Sequence, residues 1–260
     1  MEHIPLFAIP HVTGPAWPGL RYFTTTRQEG ESQGAWASFN LATHCQDYPE
    51  HVQRNRQRLA TVLPGPPLWL DQVHGTEVLN ADLWPQNACD VDAVPTADAA
   101  VTTQSERVLA ILTADCLPVV LSDAHSSVLG VAHAGWRGLA AGILEKTLCC
   151  MQQVQPQADQ WRAWIGPSIQ QHAFQVGDDV RNAFVMADAQ AAPFFKPDSL
   201  PGKWRADLSG LAAHRLRQAG VGSITVSPDC TFKDSSRFYS YRRHATTGRM
   251  ATLAWLNPRG

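Results

Sequence analysis

Between residues 107 and 133 the chain is laid out as three apolar runs separated by short polar breaks. The first covers 107–114 and stops at Asp115-Cys116; the second resumes at 117–122, punctuated by Pro118. The third covers 127–133 after a polar break from Asp123 to Ser126. Continuous apolar runs of this length, bounded by turn residues, predict strands buried on both faces. The same reading places strands at 21–27, 68–70, 99–103, 161–165, 222–226 and 249–256. Apolar positions recur at helical spacing elsewhere. Val52, Leu59 and Val62 predict a helix over 50–63, stopped by Pro64-Gly65-Pro66-Pro67, and Leu139, Ile143, Leu144, Leu148 and Met151 predict one over 138–154. Further helices are expected at about 177–187 and at 207–219, the second opened by Asp207 as its N-cap.

The first 20 residues carry four prolines and little periodicity, which predicts an extended entry segment, and residues 90–98 read as loop. Strands and helices mix without regular alternation, and no Gly/Ser linker, repeat or low-complexity stretch divides the chain. The expectation is α+β: one domain over 1–260, with mixed β-sheets flanked by helices.

Composition narrows the function. A length of 260 residues with 44% hydrophobic and 17% charged residues suits a globular protein with a sizeable core. A net charge of −2 supplies no basic surplus for nucleic acid, although Arg237, Arg242, Arg243 and His244 form one local cluster that also reads as a solvated turn. Neither a leader pattern nor a long apolar span is visible, so no membrane partner and a cytoplasmic location are expected. The six cysteines show no paired spacing, which predicts reduced thiols. No phosphate-binding P-loop or dinucleotide fingerprint is present.

His74, Cys116 and His133 each sit at the end of an apolar run, where a rigid scaffold can aim side chains into a cleft. Two imidazoles and a thiolate suit zinc, and three protein ligands would leave a fourth position open, as catalytic zinc requires. Their wide spacing matches no zinc-finger pattern. A lone cysteine in a strand is more often a small core residue, and a Cys116 nucleophile with His133 as its base uses the same residues. Spacing alone does not separate these readings.

Four blocks go further: Asp71-Gln72-Val73-His74-Gly75, Thr113-Ala114-Asp115-Cys116-Leu117-Pro118-Val119, Ala132-His133-Ala134-Gly135-Trp136-Arg137-Gly138 and Ile165-Gly166-Pro167-Ser168-Ile169. With weaker blocks at Ser38-Phe39-Asn40-Leu41, Asn55-Arg56 and 237–243, the chain resembles the YfiH-like family, also called the laccase-domain or polyphenol oxidase family. The resemblance runs in order from about residue 21 to residue 256. It implies that His74, Cys116 and His133 bind a catalytic metal, zinc or in older views copper. It implies a purine nucleoside phosphorylase acting on adenosine, inosine and methylthioadenosine with phosphate, with an accompanying adenosine deaminase activity. On that reading Cys116 and Asp115 are the catalytic candidates, Asp115 as proton shuttle. Arg56 and Arg137 are candidates to clamp phosphate, and Asn40 and Gln72 to contact ribose or base. An extended peptide at Asp115 would turn its side chain away from Cys116. Editing of peptidoglycan precursors by hydrolysis, copper-dependent phenol oxidation and non-catalytic metal binding are the competing readings. A laccase needs several coppers, and ten histidines without a His-X-His pair argue against it. The partners expected are small nucleosides and phosphate, with the chain a monomer or homodimer.

Overall fold

The computed structural model describes residues 9–85 and 94–258. The expectations for residues 1–8 and 90–93 lie outside the described residues. In chain order the elements are β1 (His11–Val12), β2 (Leu20–Thr25), α1 (Pro49–Ala60), β3 (Val78–Asn80), β4 (Ala99–Thr102), β5 (Leu109–Thr113), β6 (Leu117–Ser122) and β7 (Leu129–Ala134). They continue with α2 (Trp136–Ala140), α3 (Ile143–Val154), β8 (Arg162–Ile165), β9 (Gln175–Gly177), α4 (Asp178–Val185), β10 (Phe195–Pro197), β11 (Lys203–Ala206), α5 (Leu208–Gln218), β12 (Ser223–Val226) and β13 (Met250–Leu256).

Two sheets form the centre. One has the order β1-β2-β13-β5; the other, of six strands, has the order β12-β8-β6-β7-β4-β3. Side chains alternate across a strand, so a strand apolar at every position must be covered on both faces. β5 shows this directly. Leu109 and Ile111 pack into the space between the sheets with Val120, Leu129, Val131 and Trp164 of the six-stranded sheet. Ala110 and Leu112 pack on the other side with Phe23, Leu253 and the α1 residue Leu59. The far face of the six-stranded sheet, with Val119, Leu121 and Ala132, is covered by Leu144, Leu148 and Met151 of α3 and Leu211 and Leu216 of α5. The result is a four-layer α/β/β/α arrangement, which agrees with the expected mixed sheets flanked by helices. A small sheet in the order β10-β11-β9 stands apart from the two central ones.

Several elements differ from their expected form. The helix expected over 138–154 is two helices, because Gly142 between them takes a left-handed φ of +94° and serves as the N-cap of α3. The strand expected at 68–70 is reduced to a single parallel bridge from Leu68 to Leu109. The short strands β3 and β9–β11 carry no sustained apolar run, and their pairing is set by tertiary contacts. Asp207 caps α5 as expected, its carboxylate accepting from the Gly210 amide.

Trp164 is among the largest fully buried side chains and fills the space between the sheets with Tyr22, their ring centroids 5.1 Å apart. Trp164→Ala is expected to lower the unfolding free energy by about 3–5 kcal/mol, measurable as a lowered denaturant midpoint at unchanged slope.

Candidate metal centre and its cavity

Register, more than any local motif, assembles the site. β4 and β7 run antiparallel with Ala99 opposite Ala132, and the next step along the ladder brings Asp98 to His133, whose amide donates to the Asp98 carbonyl at 2.7 Å. β6 pairs with β7 so that Pro118 faces His133 and Leu117 faces Ala134. Cys116, just before β6, therefore arrives beside the end of β7. His74 comes from the turn before β3.

That turn is wrapped around one carboxylate. Asp98, fully buried, accepts from the amides of Val73 (3.2 Å), His74 (3.0 Å) and Gly75 (2.6 Å). The three bonds hold His74 at φ +60°, a left-handed conformation that a non-glycine residue adopts only when its surroundings demand it. The same Asp98 carboxylate lies 2.8 Å from His133 Nδ1, which fixes the ring and leaves Nε2 for the site. His74 and His133 meet edge to face at 4.7 Å between centroids, and His74 Nε2 is 3.9 Å from Cys116 Sγ. Among the described residues, His74, Cys116 and His133 are the one group whose ligand atoms converge in this way, all within 4.8 Å of one another. Glycine is required alongside. A Cβ at Gly135 would stand 2.8 Å from the His74 ring and 3.1 Å from Cys116 Sγ.

The electrostatics suit a cation. Burial opposes charge on Cys116, but the adjacent His133 and His74 outweigh it and hold the thiol below the usual cysteine range. Burial likewise opposes charge on His133, and the Cys116 thiolate with the Asp98 carboxylate raises that imidazole above the usual histidine range. Asp98 stays ionised because its bonds to His133 and Gly75 overcome its burial. One thiolate and two imidazoles form a borderline-soft donor set with Asp98 behind it as the orienting acid, which fits zinc and admits copper.

The three residues open into a cavity of about 370 Å³ at the end of the two central sheets where β5 stops and β6 and β13 start. That volume is in the range of small-molecule sites. Trp136, Phe174 and Tyr241 give it aromatic walls, and Arg242, Arg249 and His44 give it polar ones. Arg242 spends Nη1 on the Gln175 carbonyl and Arg249 spends Nη1 on those of Thr247 and Gly248. Burial and the nearby Arg249 hold the His44 imidazole below its usual range, hence neutral at pH 7.

The other expected site residues fall differently. Gln72 lines the cavity, but its carboxamide is engaged at both ends with the main chain of Leu112 (2.9 and 2.8 Å). Asn40 is buried away from the cavity lining, bonded to Ala42, Asp47 and the Arg249 amide. Arg56 stacks on Trp69 at 4.2 Å, donates to the Leu41 carbonyl and lines a separate surface depression; burial brings its pKa down to about 10. Arg137 is exposed and lies over the Trp136 ring at 4.5 Å. Asp115 has φ +102°, so the peptide is not extended, and both carboxylate oxygens are taken: Oδ1 by the Thr231 hydroxyl, Oδ2 by the Ser240 hydroxyl and the Arg242 amide. Asp98, His44 and Arg249 were not singled out from the sequence. The one available signal for Asp98 was an acid immediately before an apolar strand, and its meaning depends on the β4–β7 register.

A strand-end His₂Cys centre facing a small-molecule cavity, on a two-sheet core between helices, defines the class. The chain belongs to the laccase-domain family: the profile described as multi-copper polyphenol oxidoreductase laccase matches residues 21–257. Within it, the chain is similar to proteins named purine nucleoside phosphorylase. That of Pseudomonas aeruginosa is 43% identical over 245 residues, covering 93% of this chain and 97% of the relative. Purine nucleoside phosphorylase YfiH of Escherichia coli is 42% identical over 247 residues with the same coverage. Among solved structures, a Neisseria meningitidis protein superposes with a TM-score of 0.87 at 40% identity, covering 96% of this chain and 100% of that one. YlmD from Geobacillus stearothermophilus gives 0.83 at 31% identity, covering 94% of each.

Two outcomes test the centre. Metal binding must displace the proton that the thiolate and Asp98 hold on His133, so affinity for zinc is expected to rise with pH through the neutral range, with about one proton released per ion. Chelator competition at several pH values checks this, and a pH-independent affinity would contradict the ion-pair description. Replacing the shared carboxylate, Asp98→Asn, should weaken zinc binding roughly 10–100-fold, read by the same competition.

Proposed function

We propose that the protein is a zinc-dependent purine nucleoside phosphorylase of the cytoplasm. Its substrates are adenosine, inosine and methylthioadenosine with phosphate, its products the free base and the sugar 1-phosphate, and it deaminates adenosine at the same centre. The observation that carries this reading is the sharing of one cavity by the His74–Cys116–His133 group, aromatic walls and two arginines. The names of the relatives support it at the level of the phosphorylase activity.

Phosphorolysis requires that an anionic oxygen be held against the anomeric carbon while the base leaves with the electrons of the glycosidic bond. Arg242 and Arg249 suit the first task. Each retains Nε and Nη2 without a partner among the described residues, so donors remain for phosphate oxygens. Trp136 and Phe174 provide flat apolar surface for a purine. Neutral His44 offers one donor and one acceptor nitrogen, so its N–H can hydrogen-bond a ring nitrogen of the departing base and stabilise the charge that builds there. His74, Cys116 and His133 would hold the zinc, which when bound supplies Lewis-acid polarisation and lowers the pKa of water in its open position. Asp98 keeps His133 in the tautomer and orientation that ligation needs. Phenol oxidation coupled to dioxygen requires several coppers, and the described residues converge on a single ligand group.

Zinc-loaded protein is expected to release adenine from adenosine only when phosphate is supplied, with sugar 1-phosphate formed in equal amount. Cys116→Ala should fall to background with its circular dichroism unchanged. Base release that ignores phosphate, or an active Cys116→Ala, would reject the assignment.

A further inference from the structure

Asp115 stands at a junction that the reaction scheme leaves without a task. It is 8% exposed, and its carbonyl accepts from the Ile169 amide at 3.0 Å. Its carboxylate gathers the Thr231 hydroxyl (2.7 Å), the Ser240 hydroxyl (2.9 Å) and the Arg242 main-chain amide (2.7 Å). Those three donors are more than a hundred residues away along the chain and belong to the segment that brings Arg242 and Tyr241 to the cavity. The next residue is the candidate ligand Cys116. One peptide therefore carries the thiolate on one side and, through its carboxylate, fixes the main chain of an arginine on the other. The neighbouring Arg243 closes the same loop on itself, donating to the carbonyls of Thr231, Phe232 and Phe238, so the segment has an internal frame that Asp115 docks as a unit.

We infer that Asp115 is a positioning residue for phosphate, setting the distance between the Arg242 guanidinium and the metal centre. This rests on the phosphorylase reading for its ligand. A proton shuttle needs a carboxylate oxygen free to exchange its proton during turnover, whereas both oxygens of Asp115 accept from fixed donors. Bonds from neutral donors to a buried carboxylate are among the stronger ones, so losing one loosens the loop without emptying the core.

The test separates phosphate binding from chemistry. Thr231→Val and Ser240→Ala each delete one donor at a distance from the ligands. Each is expected to raise the KM for phosphate and the calorimetric Kd for inorganic phosphate by roughly tenfold. The KM for nucleoside and zinc stoichiometry should stay as in the parent, and Thr231→Ser should restore parental values. Asp115→Asn should show the same phosphate defect and keep both limbs of the kcat–pH profile. Unchanged phosphate affinity in Thr231→Val and Ser240→Ala would overturn the inference, as would loss of one pH limb in Asp115→Asn with phosphate KM unaltered. If the parent binds phosphate but does not turn over, the phosphorylase reading fails while the affinities still decide the role of Asp115. If the parent binds no phosphate, both fall.

Discussion

The Asp98 carboxylate is the constraint on which the site depends. Fully buried, it would be untenable as an anion without compensation, and its four partners are the compensation: three amides of the 73–75 turn and the His133 ring. The same four bonds convert a desolvation problem into geometry. They force His74 into its left-handed turn and set the rotation of His133. They also give the buried imidazole an anion to balance its charge, so that Cys116 can remain a thiolate beside it. The candidate ligand set is thus the outer surface of an electrostatic knot whose centre is Asp98, an acid outside the set that touches His133 at Nδ1.

Two kinds of architecture meet in the cavity. The side with the candidate ligands is built from paired strands, where β4, β6 and β7 fix positions through their register. The opposite side is built from loops: Arg242 and Tyr241 come from the segment between β12 and β13, and Arg249 from the residue just before β13. A rigid half next to a loop-borne half is a common division between chemistry and recognition. Here the loop is tied to the strands at one carboxylate, Asp115, and stacked over Phe174 through Arg242 at 5.2 Å.

What could be read from residues alone follows this division. Strands β5, β6, β7 and β13 were legible because burial on both faces leaves an uninterrupted apolar run, and His74, Cys116 and His133 were legible because they end such runs in unusual blocks. Asp98 was not, since an acid before a strand acquires meaning only once β4 is paired with β7. Asn40 and Gln72 have the chemistry of substrate contacts, yet their amides are engaged with main chain; a polar group's partner cannot be inferred from its type. Arg242 lay within a cluster whose charge also suits a solvated turn, and what distinguishes it is the cavity beside it. The break at Gly142 escaped because apolar spacing continues across it, while the backbone does not.

The last strand has a consequence for how the molecule comes into being. β13 lies inside its sheet, between β2 and β5, pairing Thr252 with both Thr24 and Ile111. A ribosome therefore delivers every metal-ligand candidate long before it delivers the strand that joins the two flanks of the first sheet. Until residues 250–256 emerge, β2 and β5 present unpaired edges. Such long-range pairing delays completion of the sheet until β13 has been made. Removing residues 250–256 takes out an inner strand and separates β2 from β5, so these residues are structural core and no dispensable extension.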